Sequence, residues 1–283
     1  MSRLIGLGAA LTVCATALLM GCSSNDCSGG SVCGAGNAVD HPQTPSQKAQ
    51  QSATSALGGP LLVTHKWPKF KVCDGVTSVA MPADGKPLAE FDPAEQDFRS
   101  AVTTPNNRGG AWGSGHLYLD LSAEGTEKVT VDEFHLTTRV PKKISPPAWV
   151  ALTQGGCGEV KDRVFDLDLD KPELVDRGVE GSGESDPSEP PVRTNPLGSG
   201  FTVSASDPAI IRVDVSACRG NYEWSLQIDY SYHGQSLHKV VGPFRSFGAA
   251  EKNTSVYIPD LATGKIGAPS TDTGPAIGCQ AQP

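Results

Sequence analysis

The chain has 283 residues, 31 acidic and 23 basic side chains, a formal net charge of −8, and 38% hydrophobic residues. So acidic a balance excludes a nucleic-acid binder that draws its affinity from a basic surface, and it excludes electrostatic adhesion to anionic lipid. The length allows one large domain or two small ones.

Arg3 precedes an uncharged apolar run from Leu4 to Met20, the charged-then-apolar order of a secretory signal peptide. The run's 17 residues stand at the lower limit for crossing a bilayer, so a transmembrane anchor is the alternative to cleavage. Leu19-Met20-Gly21-Cys22 resembles the lipobox of bacterial lipoproteins. That resemblance implies removal of residues 1–21, acylation of the Cys22 thiol with palmitate-type chains, and a mature protein on the outer face of the cytoplasmic membrane. It also implies at least two chains. One holds a protein only marginally, at ~0.8 kcal/mol per buried CH₂, whereas two anchor it stably.

Of the eight cysteines, Cys14 leaves with the signal peptide and Cys22 carries lipid. Cys27, Cys33, Cys73, Cys157, Cys218 and Cys279 remain, and an even number outside the cytoplasm reads as three disulfides. The short loop favours Cys27–Cys33. Cys73–Cys157 and Cys218–Cys279 then keep each bridge within one half of the chain. The spacing Cys27-x₅-Cys33 is too wide for a zinc knuckle.

Residues 22–60 are rich in Ser, Gly, Ala, Gln and Asn and read as a flexible, lipid-anchored linker spanning roughly 35 Å as a random coil. From Leu61 the pattern is β. Pro93–Val102, opened by Asp92 as N-cap, is the helix candidate. His116–Leu121 puts Leu117, Leu119 and Leu121 on one face. Val129 and Val131 are odd-numbered but Phe134 and Leu136 even, which predicts a bulge near Asp132-Glu133. Trp149–Leu152 and Val164–Leu169 are further strands. The acidic stretch 173–196 has no apolar period and reads as an exposed loop. Phe201, Val203 and Ala205 form a strand broken by Asp207-Pro208, and Ile211, Val213, Val215 and Ala217 form the next. Tyr222–His233 alternates strictly, with Trp224, Leu226, Ile228, Tyr230 and Tyr232 on one face. A Gly234-Gln235 turn leads from it into Ser236–Val241.

Many short strands punctuated by Gly and Pro predict an all-β fold, an antiparallel, Ig-like β-sandwich over 61–262 with disulfides, followed by an irregular tail 263–283. Two Ig-like domains, 61–172 and 197–262, are the alternative. Trp67-Pro68 with Cys73-Asp74-Gly75, Val203-Ser204-Ala205-Ser206-Asp207-Pro208, and Pro243-Phe244-Arg245 resemble segments of actinobacterial extracytoplasmic β-rich proteins. The resemblance implies an envelope domain and assigns no activity.

Chemistry-bearing patterns are sparse. Asp166, Asp168 and Asp170 suggest a calcium loop, but Lys171 and Arg177 stand where an EF-hand needs glycine and an acid. A solvated strand face is the bland reading, and a non-EF calcium site joined by Glu173 or Asp176 is the alternative. His41, His65, His116, His135, His233 and His238 include no metal-binding spacing, although His233 and His238 can approach across the predicted hairpin. Ser236-Leu237-His238-Lys239 matches S-x-x-K but lies in a strand. Trp67, Trp112, Trp149 and Trp224 could form a glycan platform. Trp224 reads as core, whereas Trp112, in a glycine-rich segment, is the best candidate for an exposed ring.

The expectation is therefore a non-catalytic, lipid-anchored protein of the bacterial cell envelope that binds an envelope protein or glycan and needs no cofactor. An envelope hydrolase with an unrecognised active site is the alternative, and a calcium-stabilised structural module a third.

Overall fold

A computed structural model describes residues 59–67, 78–88, 101–104, 106–137, 142–152, 160–183, 187–258, 266–270 and 279. All belong to the unit Pro45–Pro283. The expected signal peptide, Cys22, the expected linker before Gly59, Cys27, Cys33, Cys73 and Cys157 lie outside the described residues. So does the predicted helix Pro93–Val102, except for Ala101 and Val102, which are helical.

The described strands form two sheets, numbered here in chain order. The first runs β1 (Leu61–Lys66), β4 (Ser114–Ala123), β11 (Ala209–Ser216), β8 (Asp162–Asp168), β9 (Glu173–Glu180). The second runs β10 (Thr202–Val203), β5 (Val129–Leu136), β12 (Asn221–Tyr232), β13 (Gln235–Phe247), β3 (Gly110–Trp112), β2 (Val79–Pro82), β7 (Pro147–Ala151), β14 (Ser255–Tyr257). The short β6 (Lys142–Lys143) also pairs with β12. The all-β fold expected from the sequence is what the chain adopts. Pairing is mixed rather than purely antiparallel: β11–β8, β13–β3 and β14–β7 run parallel, each joined through a long intervening excursion, as parallel pairing requires.

Alternation dictates which side of each strand is buried. Leu117, Leu119 and Leu121 of β4 and Ile211, Val213 and Val215 of β11 face Trp224, Leu226, Ile228 and Tyr230 of β12 in one core shared by both sheets. Phe134 and Phe165 close it, with ring centroids 4.9 Å apart. Strands from the two halves of the sequence pair with one another, β4 with β11 and β5 with β12.

Two bulges bracket β12. Asp229 pairs with Glu133 but Tyr230 with Val131, so Asp132 is the extra residue, as the parity switch predicted. Its carboxylate accepts the Ser231 hydroxyl at 2.6 Å. On the other flank Trp224 pairs with Phe244 and Leu226 with Val241, so Gly242-Pro243, joined by a cis peptide, stands against Ser225 alone, one residue in surplus. That bulge lets Val241 and Phe244, three residues apart, both face the core.

Three local expectations need correction. The hairpin turn is His233-Gly234, not Gly234-Gln235: Tyr232 pairs with Gln235, and both turn residues have positive φ (49° and 75°), the type I′ geometry. Residues 173–180 of the predicted acidic loop form the edge strand β9. Most of its residues are exposed or half-buried, so no apolar alternation marks it. Third, Ala205 belongs to a turn, closed by a Ser204–Asp207 bridge, and not to the strand of Phe201 and Val203. The Cys218–Cys279 disulfide pins the C-terminal tail to the β11–β12 loop.

Candidate functional site

The residues singled out in the sequence do not converge. Asp166 pairs with Arg177 at 3.3 Å. Asp168 accepts the backbone N–H of Asp170 at 2.9 Å and of Lys171 at 3.2 Å, turning the chain from β8 into β9. Asp170 has left the strand: it accepts the N–H groups of Cys218 (2.7 Å) and Arg219 (2.9 Å) and the Tyr222 hydroxyl (2.7 Å). His233, in the hairpin turn, meets Glu127 at 3.1 Å and stacks on Tyr232, while His238 pairs in register with Asp229. Among the described residues no group of three His, Cys, Asp or Glu side chains is arranged to hold a metal. Ser236 and Lys239, three apart on an unbulged stretch of β13, point to opposite faces, so the S-x-x-K match brings no base to the hydroxyl. All four tryptophans are buried, Trp112 to 1% exposure, and the glycan-platform expectation falls with them. Trp112 is sequestered because its glycine-rich segment is strand β3, covered by Phe247, Val150 and Val256.

Asp170, read from the sequence as part of a solvated strand face with calcium as the alternative, acts as a clamp. Burial, and then the hydrogen bond to Asp170, push the Tyr222 phenol up to about 12. A pKa raised on folding means that the protonated phenol stabilises the fold. The contribution is complete below the ordinary value of 10.0 and is lost as pH climbs through about 12. Absorbance titration at 295 nm should show this late-ionising tyrosine, and Tyr222→Phe should remove both it and its share of the stability lost over that window. An unchanged titration in the variant would sink the assignment.

A small cleft of about 160 Å³ opens where β1 ends. Trp67, Pro243 and Phe244 supply its apolar wall, and Thr103, Thr104, Arg108, Glu223 and Arg245 its polar groups. Each part has a local cause. The Gly242-Pro243 bulge turns Phe244 against Trp224 (centroids 4.8 Å apart) and Trp67 (6.4 Å). Glu223 and Arg245 are cross-strand partners in the β12–β13 ladder. Nε and Nη2 of Arg245 donate to one oxygen of Glu223 at 3.1 and 2.8 Å, and Lys142 stands 3.6 Å from the other. Arg245's hydrogen bonds hold the Glu223 carboxyl below the usual carboxylate range, against the opposing effect of burial. Arg245 Nη1 donates to the carbonyl of Arg108 at 3.2 Å.

The Arg108 loop is built tightly. Asn107 and Arg108 both donate backbone N–H to Thr104, the Asn107 amide donates to the Ala101 carbonyl, and Gly109 N–H reaches Val102. Arg108 adopts φ 61°, a left-handed conformation rare for a residue other than Gly or Asn, and its guanidinium pairs with Asp84. Gly110 follows because nothing larger fits: a Cβ there would lie 2.0 Å from the Arg245 carbonyl oxygen.

A second polar group lies on the outer face of the first sheet. His116 Nδ1 meets Asp214 Oδ1 at 2.5 Å, and Arg212 bonds both Asp214 (2.8 Å) and Asp162 (2.7 Å). Burial pushes the Asp214 carboxyl up, but His116 and Arg212 outweigh it, and the group is held below its ordinary value. Sequence reading named His116 without a role and missed the cleft. Trp67 and Pro243-Phe244-Arg245 stand out in the sequence, but only the fold brings them beside one another and beside Arg108. No family model, no curated protein and no solved structure matches the chain.

Proposed function

We propose that this is a lipid-anchored, extracytoplasmic binding protein of the bacterial cell envelope, holding its ligand in the cleft at the end of β1. The observation that carries the reading is where the chain enters and where the cleft opens. Gly59 and Pro60 lead into β1 at one end of the first sheet, and the strand runs from Leu61 to Lys66, after which Trp67 lines the cleft. Six residues of strand cover ~20 Å, so the ligand end stands away from the point at which a Cys22-anchored linker joins. The Cys218–Cys279 bridge favours an oxidising compartment. The cleft's concavity and its mix of an apolar wall with a few polar groups suit a small ligand more than a flat protein interface.

The anchor is tested by metabolic labelling with palmitate. The wild-type protein should take up label and run as the processed form, whereas Cys22→Ala should accumulate as an unlabelled precursor. Normal processing of that variant would refute the anchored reading.

One observation favours the alternative, an envelope hydrolase. The Asp214 carboxylate orients the His116 imidazole through Nδ1, the arrangement that leaves Nε2 as a base. Turnover of an envelope ester or glycan that is abolished in His116→Gln but intact in the cleft variants would replace the binding reading with this one.

A further inference from the structure

Resting on the reading of the cleft as the binding site, we infer that its ligand is a small oxyanion, a carboxylate or phosphate carried on a flat apolar group. The anion lies between Arg108 and Arg245, and the flat group lies against Trp67 and Phe244.

Arg245 is the fixed half of the anion site. A guanidinium has five N–H donors. Among the described residues three are engaged, two by Glu223 and one by the Arg108 carbonyl, which locks the fork in place and leaves two donors without a partner there. Its side chain is only 10% exposed, and such a preorganised, largely desolvated guanidinium suits the geometry of carboxylate and phosphate. Arg108 is the adjustable half. Its guanidinium is 50% exposed and its one partner, Asp84, is 54% exposed, so that ion pair is weak enough for a ligand to replace.

The backbone supplies an independent argument. The position has φ 61°, where glycine is the unstrained choice, and it is followed by two glycines. An arginine held there at a cost of roughly 1–2 kcal/mol lines the cleft and gives its carbonyl to Arg245, while its guanidinium reaches Asp84, from which a ligand would draw it.

Charge agrees. Arg108, Arg245 and Lys142 against Asp84 and Glu223 leave this end at +1, in a chain whose net charge is −8. A cationic ligand would find only Glu223 among the lining residues, and that carboxylate already faces Arg245 and Lys142. The wall of Trp67, Phe244 and the Pro243 ring is apolar; Trp67 and Phe244 are nearly buried, so a flat group meets their edges and not their faces.

The test titrates the full mature protein, in detergent, with benzoate and with phenyl phosphate, using benzamide as the uncharged control of the same shape. Calorimetry and tryptophan fluorescence report binding. At least one anion should bind saturably and at least tenfold more tightly than benzamide, and whichever anion wins identifies the head group. Arg108→Gly should weaken the anion at least tenfold without lowering Tm, because glycine takes φ 61° freely. Arg108→Gln keeps an amide donor but no charge, and should cut the preference for the winning anion over benzamide severalfold, Arg245 alone supplying what remains. That ratio is read from folded protein alone and holds even if a variant is less stable. Failure of both anions to saturate, equal binding of benzamide, or an unchanged ratio in Arg108→Gln overturns the proposal. Normal palmitate labelling alongside such a failure removes the ligand assignment and spares the anchor. Absent labelling with intact anion binding does the reverse.

Discussion

Cys218→Ser should destabilise the protein by about 4 kcal/mol on the chain-entropy relation. Cys218 and Cys279 are 61 residues apart, so the bridge closes a long loop and removes much freedom from the unfolded chain. At about 2–4 °C per kcal/mol for a domain of this size, Tm should fall by roughly 8–16 °C. Cys279→Ser and the double variant should match the single one, since either change opens the same loop. Local order near Cys218 should survive, because Asp170 still accepts the backbone N–H groups of Cys218 and Arg219. The damage should concentrate on the tail, where Cys279 packs near Trp112, Phe247 and Val256. Thermal melts with and without reductant decide it. A wild-type Tm that does not move on reduction contradicts the expectation.

The second large effect concerns Arg163, a cation with only 3% exposure on the inner side of β8. Its guanidinium meets Asp176 Oδ2 and the Asn195 carbonyl, each at 2.5 Å, and lies 5.3 Å from the centroid of the Phe201 ring. It thereby ties β9 and the segment before β10 to the core beneath β8. The two partners should respond unequally. Asp176→Ala leaves a buried positive charge without its counter-ion and should cost about 3 kcal/mol, the lower end of the usual range because Asp176 is 33% exposed. Arg163→Met removes the charge and keeps an apolar stem of similar reach, so it should be the milder change, with the double variant close to it. Denaturant melts of the three variants test the order. Arg163→Met proving worse than Asp176→Ala would show that the ion pair, and not the desolvation of the cation, dominates.

What the sequence disclosed depended on how each strand meets solvent. β12 was legible because one face is core and the other is wet, so Trp224, Leu226, Ile228 and Tyr230 alternate with polar residues. The bulge at Asp132 was legible for the same reason, since Val131 and Phe134 belong to one core and their numbers differ in parity. β2 was not. Val79 and Met81 pack into one cluster and Ala80 into another, so all four of its residues are buried and no period is written. β9 failed for the opposite cause, with almost nothing buried on either side. The cleft was illegible because its residues come from four places, at Trp67, 103–109, Glu223 and 243–245, and only the register of β12 on β13 and the close approach at Gly110 assemble them. Asp170 departs from the solvated strand face on which the sequence placed it, since β8 ends at Asp168. Its spacing from Asp166 and Asp168 suggested a shared ion, whereas its partners lie some 50 residues downstream, at Cys218, Arg219 and Tyr222.

The placement of β1 also has a mechanical meaning. Among the described strands it pairs with β4 alone, antiparallel, over six residue pairs from Leu61–Ala123 to Lys66–Tyr118. A tug arriving from the residues before Gly59, with the far end of the domain held by whatever fills the cleft, is directed along this strand. The ladder is then strained in shear, all its rungs sharing the load at once, instead of being peeled rung by rung. Resistance to forced unfolding is a matter of rate, and this attachment gives the first element to feel the pull the slower way of failing.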